Sequence, residues 1–153
     1  MKSKLIIASL FLVVLVVSVS AVVSTIHRST SDVWWFSGGR VREGSSTLVR
    51  EDNSIMTHLH TNSLQPGTAV TMWWVIFNHP ENCNHPEGSF RCGPGDLAAF
   101  GGDPSVESSV LYADGHVIRN SGDGDFGARL NIHDTAGALF GSGLTNPHGA
   151  DVH

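Results

Sequence analysis

A chain of 153 residues with a formal net charge of −5 and no run or stripe of Lys and Arg lacks the clustered cations that nucleic acid or an anionic membrane surface requires. Its 17 glycines, its many Ser, Thr and Val residues, and the lack of any long helical periodicity favour an all-β protein. Without the apolar leader, roughly 130 residues remain, enough for one domain with a real core and too few for two.

The leader is read first. Lys2 and Lys4 precede an almost unbroken apolar run from Leu5 to Val17, and Val19-Ser20-Ala21 supplies small residues where a signal peptidase cuts. Residues 1–21 therefore read as an export signal. The alternative is an uncleaved anchor to Val23, since Leu5 to Val23 as a helix spans about 28 Å, close to the ~30 Å hydrocarbon core. Either way the rest of the chain is expected outside the cytoplasm, secreted or periplasmic, or membrane-anchored through this segment alone.

Residues 22–45 form an N-terminal segment with an aromatic cluster, Trp34-Trp35-Phe36. A Trp pair here is expected to act as a docking strand or plug for the core. The domain proper is expected over 46–153. It opens with two strands, Ser46–Arg50 and Ser54–Asn62, around the turn Glu51-Asp52-Asn53. Ile55, Thr57, Leu59 and Thr61 share one face of the second strand, and Met56, His58, His60 and Asn62 share the other. His-x-His on a strand sets two imidazoles side by side, as a first-row metal requires, with His116 or His153 as further ligands. The other reading is a solvated polar face.

Thr68–Phe77, TAVTMWWVIF, is bounded by Leu64-Gln65-Pro66-Gly67 and Asn78-His79-Pro80 and reads as the central strand. Val70, Met72, Trp74 and Ile76 point one way; Ala69, Thr71, Trp73, Val75 and Phe77 point the other. Each face carries a Trp, so both are expected to be covered. The sharper alternative is an apolar binding or subunit contact around Trp73 and Val75.

Cys83 and Cys92 follow in a loop rich in Pro, Gly and Asn. Two neighbouring cysteines in an oxidising compartment are expected to form a disulfide, worth roughly 2–3 kcal/mol for so short a loop in the chain-entropy model. A metal site using both sulfurs with His79 or His85 would need reduced thiols and an unusual spacing.

Ser108–Ala113 reads as a strand, Asp114-Gly115 as a turn or bulge, and His116–Arg119 as its continuation or partner. After the turn Asn120–Asp125, Phe126, Ala128, Leu130 and Ile132 alternate with Gly127, Arg129, Asn131 and His133, a strand with one wet face. The Asp123/Asp125 spacing matches no calcium loop, so a plain hairpin is expected. Ala150–His153 looks like the first half of a strand. That suggests a C-terminal truncation, or a final strand supplied by a partner.

Leu64 to Val70, LQPGTAV, resembles the L-x-P-G-T-x-Y corner of fibronectin type III and related immunoglobulin-like sandwiches, with Val70 in place of the corner tyrosine. From about Thr47 to His153 the chain also resembles an uncharacterised family of secreted, largely bacterial proteins, through LQPGTAVTMWWVIFNHPENC, Cys92 with Asp96-Leu97, SVLYADGHVI and LFGSGLTNPHGADVH. That resemblance implies export and a chain running on past Ala-Asp-Val-His, and it brings no activity. His116 and His153 fall inside the shared blocks; His58 and His60 fall outside them.

Gly141-Ser142-Gly143 lacks the nucleophile elbow, and neither a P-loop nor a dinucleotide fingerprint is present. The expectation is an exported antiparallel β-sandwich, immunoglobulin-like or related, with one disulfide. It would act without cofactor as a binding or structural module toward a protein or glycan partner. The alternative is a zinc or copper metalloprotein, with catalysis open to it, ligated by His58, His60 and His116.

Overall fold

A computed structural model describes residues 25–34, 39–88 and 90–153. The expected export segment and the Trp35-Phe36 part of the aromatic cluster lie outside the described residues.

Among the described residues, eight strands alternate with turns: β1 (His27–Trp34), β2 (Arg40–Glu51), β3 (Ser54–Thr61), β4 (Ala69–Phe77), β5 (Ser108–Val117), β6 (Gly124–Asn131), β7 (Ala138–Phe140) and β8 (Asp151–Val152). They form two four-stranded sheets, ordered β1-β2-β3-β6 and β7-β5-β4-β8. Every strand pairing within them is antiparallel. The protein is an antiparallel β-sandwich.

Register follows from the turns and from side-chain alternation. Glu51 pairs with Ser54 across a two-residue loop, Asp52-Asn53, which fixes the β2–β3 hairpin. Because the side-chain period is two, this register sends Ile55 into the core and His58 to the outside. On β6, Phe126 and Leu130 are buried while Arg129 and Asn131 are exposed, as the alternation predicts. Asp114-Gly115 makes no turn. Met72 pairs with Asp114 and Trp73 with Tyr112, leaving Ala113 as the extra residue of a bulge, and β5 runs on to Val117.

The main core lies between the sheets: Ile55 and Leu130 from one, Trp74, Ile76 and Leu111 from the other, closed by Leu144 and Ala150. A second cluster, Phe77, Cys92, Leu97 and Val106, sits on the outer face of β4 beneath the connection 78–107. Short 3-10 turns at Pro80–Asn82, Pro94–Asp96, Ala98–Phe100 and Pro104–Val106 keep this connection close to the sheet. The expected cover over both faces of β4 is thus present at its C-terminal end only. Thr71 and Trp73 are exposed, because the connection leaves β4 at Asn78 and folds back over Phe77 and Val75.

The domain boundary expected at 45/46 falls inside β2, which runs unbroken from Arg40 and pairs along β1. Trp34 is 60% exposed rather than plugged into the core. It stands at the far end of an edge strand with only Arg40 across from it.

Candidate functional site: an inter-sheet cleft and a histidine face

Strand β8 covers only part of β4. Val152 pairs with Ile76 and Asp151 with Phe77, and the Val75 and His153 amides exchange bonds of 3.1 and 2.9 Å. Among the described residues no strand pairs with Ala69–Trp73 on that side. Opposite the gap, β1 and β2 continue, so the sandwich opens there into a cleft of about 300 Å³. Ser31, Ser46, Leu48 and Thr57 line one wall, and Met72 and Trp74 the other. The cleft is therefore half hydroxyl and half apolar.

Its closed end is charged. The Arg50 guanidinium donates to the Pro147 carbonyl at 2.6 Å. Burial pulls the Arg50 pKa down, and the charge of Asp151 opposes this. Asp151 accepts the Cys92 amide at 3.3 Å and meets His153 Nε2 at 3.2 Å. Burial pushes the Asp151 carboxyl up. The His153 hydrogen bond and charge, with the Cys92 and Val152 amides, outweigh it and hold the group below its ordinary value. The His153 ring lies 5.4 Å from Phe77 and 4.5 Å from Phe90, centroid to centroid. The disulfide loop and the end of β8 are in this way one packed unit.

The suggested Trp73/Val75 face is divided. Trp73 stands edge-on to Tyr112 at 5.8 Å, and the two are 37% and 45% exposed. Trp73 Nε1 donates to Thr71 Oγ1 at 3.1 Å, which fixes the ring. Val75 instead packs with the second core cluster.

The histidines occupy another face. His58 is exposed opposite Gly127, and His60 lies opposite Asp125 with Nδ1 and Oδ1 2.7 Å apart. The His60 hydrogen bond chiefly holds the Asp125 carboxyl below its usual range. Desolvation opposes this, and the charges of His60, His58 and His116 add smaller contributions in the lowering direction. His116 stacks on Phe126 at 4.4 Å and, with Arg119, Asp123 and Asp125, lines a polar cavity of about 490 Å³. His58, His60 and His116 thus surround Asp125, but their ligand atoms do not converge.

Among the described residues, the group of three ligating side chains within 4.8 Å of one another is Cys83, Cys92 and Asp96. There the sulfurs are bonded to each other at 2.09 Å, which removes the thiolate metal reading. His85 meets that group through its backbone amide, which Asp96 accepts, and His79 contacts Glu81 at 3.0 Å. In the sequence Asp125 stands out only as a turn residue and Asp96 only within a shared block, because each acts through a partner that only the folded chain brings near.

No protein-family model, curated protein or solved structure matches the chain. Fold and site together define a disulfide-bridged, two-sheet antiparallel sandwich whose sheets part along one side of the central strand. No helix among the described residues is long and apolar enough to cross a membrane.

Proposed function

We propose that this protein is an exported binding module that takes its ligand in the inter-sheet cleft and works without catalysis. The leader pattern of residues 1–21 and the Cys83–Cys92 bond support an oxidising compartment outside the cytoplasm. The observation that carries the reading is the cleft itself, where the hydroxyls of Ser31, Ser46 and Thr57 face Met72 and Trp74 between the sheets. Concave sites that mix an apolar wall with a few polar groups are where ligands are held.

The test is a panel of peptides and oligosaccharides titrated against the full chain and followed by NMR. Ligands of the cleft shift the Leu48 and Leu59 methyls and the Trp74 indole, and lose affinity in Ser46→Trp, which fills the space. Ligands that bind equally well to Ser46→Trp and leave those signals unmoved would count against the cleft.

A second reading is favoured by the His60–Asp125 contact. A carboxylate on Nδ1 orients the ring and leaves Nε2 for a zinc or copper ion, with His58 two residues away on the same strand. On this reading, elemental analysis of untagged protein finds about one equivalent of zinc or copper, lost in the His58→Ala/His60→Ala double variant. Metal-free protein with an intact fold and disulfide would set this reading aside.

A further inference from the structure

We infer that the polar cavity beside His116 is a saccharide site, in which the His116 ring carries one face of a pyranose and Arg119, Asp123 and Asp125 bond its hydroxyls. The cavity shares no lining residue with the inter-sheet cleft, so this inference stands apart from the reading above.

One connection of the fold builds the site. Between β5 and β6 the chain keeps a strand-like alternation, with Ile118, Gly122 and Gly124 buried and Val117, Arg119, Ser121, Asp123 and Asp125 exposed. The exposed set lines the cavity of about 490 Å³ together with His116. Backbone bonds hold the connection in place. The Ile118 amide donates to the Thr68 carbonyl at 2.9 Å, the Ile118 carbonyl accepts the Gly67 amide at 2.8 Å, and the Gly122 carbonyl accepts the Leu64 amide at 2.9 Å. Gly122 sits at φ +77°, and a Cβ there would come within 2.9 Å of the Leu64 carbonyl oxygen, so this close approach requires glycine. A connection fixed in advance loses less freedom when a ligand arrives.

Two of the lining side chains are oriented further. His116 stacks on buried Phe126 with 4.4 Å between centroids and 21° between planes, so one face is taken and the ring is held flat. The exposed remainder of the ring lines the cavity. Asp125 is fixed through its 2.7 Å contact with His60 Nδ1. Among the described residues the Arg119 and Asp123 side chains take part in no ion pair, which leaves a donor and an acceptor for a ligand.

The mixture of charges selects the ligand class. An anion would meet the carboxylates of Asp123 and Asp125, an organic cation would meet Arg119, and a lipid chain would strip water from all three. A sugar hydroxyl both donates and accepts, so it serves carboxylate and guanidinium alike through charge-assisted bonds. The apolar C–H face of the same sugar ring packs on the imidazole and on Val117, which is 59% exposed. A zwitterionic amino acid, with one charge of each sign, is the competing ligand.

The experiment titrates glucose, galactose, mannose and N-acetylglucosamine, each as the monosaccharide and as a linear trisaccharide, into the full disulfide-bonded chain in the presence of EDTA. NMR follows the binding. At least one trisaccharide should bind with a Kd of about 1 mM or tighter. It should shift the His116 ring and the Arg119 and Asp123 amides while the Trp74 indole and the Leu48 methyls stay unmoved. Arg119→Ala and Asp123→Ala should each weaken it about tenfold, the scale of one charge-assisted hydrogen bond. His116→Ala should abolish binding, and His116→Phe, which keeps a flat ring on Phe126, should retain it. If His116→Ala fails to fold, the two connection variants decide alone.

The inference is overturned if no sugar moves these signals, or if binding appears only when zinc or copper replaces EDTA. Glycine or lysine, titrated alongside, shifting the same signals at lower concentration than any sugar would overturn it in favour of an amino acid. A sugar that moves only Trp74 and Leu48 would overturn it as well and would belong to the cleft.

Discussion

Asn78→Ala is expected to lower the unfolding free energy by about 3–5 kcal/mol, a large share of the ~5–15 kcal/mol that holds a domain together. The side chain is fully buried at the end of β4. Its Nδ2 donates to the Glu107 carbonyl at 3.0 Å and the Gly143 carbonyl at 2.9 Å, and its Oδ1 accepts the Thr145 amide at 2.9 Å. Truncation removes three hydrogen bonds to backbone groups, the Gly143 carbonyl keeping its bond from Ser109 Oγ and the Glu107 and Thr145 bonds being only partly buried, so each loss costs about 1–2 kcal/mol. Ser109 Oγ also bonds the Gly143 amide and carbonyl, at 3.1 and 3.2 Å, so the 143–145 segment depends on two side chains.

Asn78→Asp separates hydrogen bonding from volume. Aspartate keeps the shape but turns an oxygen toward two carbonyls, so it should destabilise as much as alanine at neutral pH and recover on acidification, when a protonated carboxyl can donate. Urea titrations of the three proteins at pH 7 and pH 4 give the answer. A loss under 1 kcal/mol for Asn78→Ala would show that the 143–145 segment is held by other means. The same variant bears on the cleft, because residues 143–150 deliver β8 to β4.

Much of this fold is legible in the sequence where burial is one-sided and periodic. β3 and β6 alternate cleanly, and their pairing sets Ile55 beside Leu130. β4 is recognisable by its run of β-branched and aromatic residues between Pro/Gly and Asn/Pro signals. β1 is not recognisable, and the reason is physical. HRSTSDVW is exposed along nearly its whole length with no strand opposite it, so neither face is marked by apolar residues. The partial exposure of β4 is equally hidden, because Trp73 and Trp74 look alike in sequence, while the facing sheet covers Trp74 and the path of 78–107 leaves Trp73 uncovered.

The sites divide in the same way. The Cys83–Cys92 bond is readable from two cysteines and a compartment. The cleft depends on which side chains of the two sheets face each other, a relation between Ser46 and Leu48 on one and Met72 and Trp74 on the other that no local pattern records. His58 and His60 are conspicuous in sequence but sit on an outer face. Asp125, the carboxylate that orients one of them, lies 65 residues away and is indistinguishable from any turn aspartate.

Asp96 is the second position where one substitution should have a large effect, because it organises the disulfide loop from within. It is 1% exposed. Its carboxylate accepts the Asn84 amide at 2.8 Å, the Gly93 amide at 3.0 Å and the His85 amide at 3.1 Å, gathering both sides of the loop between Cys83 and Cys92. Desolvation pushes this carboxyl up, but the amides of Asn84, Gly93 and His85 and the His85 charge outweigh it, so the group titrates below its ordinary 3.8. A carboxyl whose pKa is lower in the folded than in the unfolded chain adds stability that is complete above the unfolded value and is lost as pH falls through the folded one.

Asp96→Asn should therefore destabilise the protein at pH 7, since its NH₂ cannot accept the amides that now converge on two oxygens, and it should flatten the acid limb of the stability curve below pH 3.8. Replacing both cysteines by alanine removes a further contribution of about 2–3 kcal/mol by the chain-entropy model. The double change and Asp96→Asn constrain the same loop, so their effects should combine to less than their sum. Strict additivity in a double-mutant cycle, or an acid limb unchanged in Asp96→Asn, would mean that the carboxylate and the disulfide act on separate parts of the chain. Because Asp151 accepts the Cys92 amide and His153 packs on Phe90, a loosened loop should also free the end of β8. Amide exchange at Val75 and His153 should then rise in both variants, while exchange at Ile55 and Leu130, across the main core, should not.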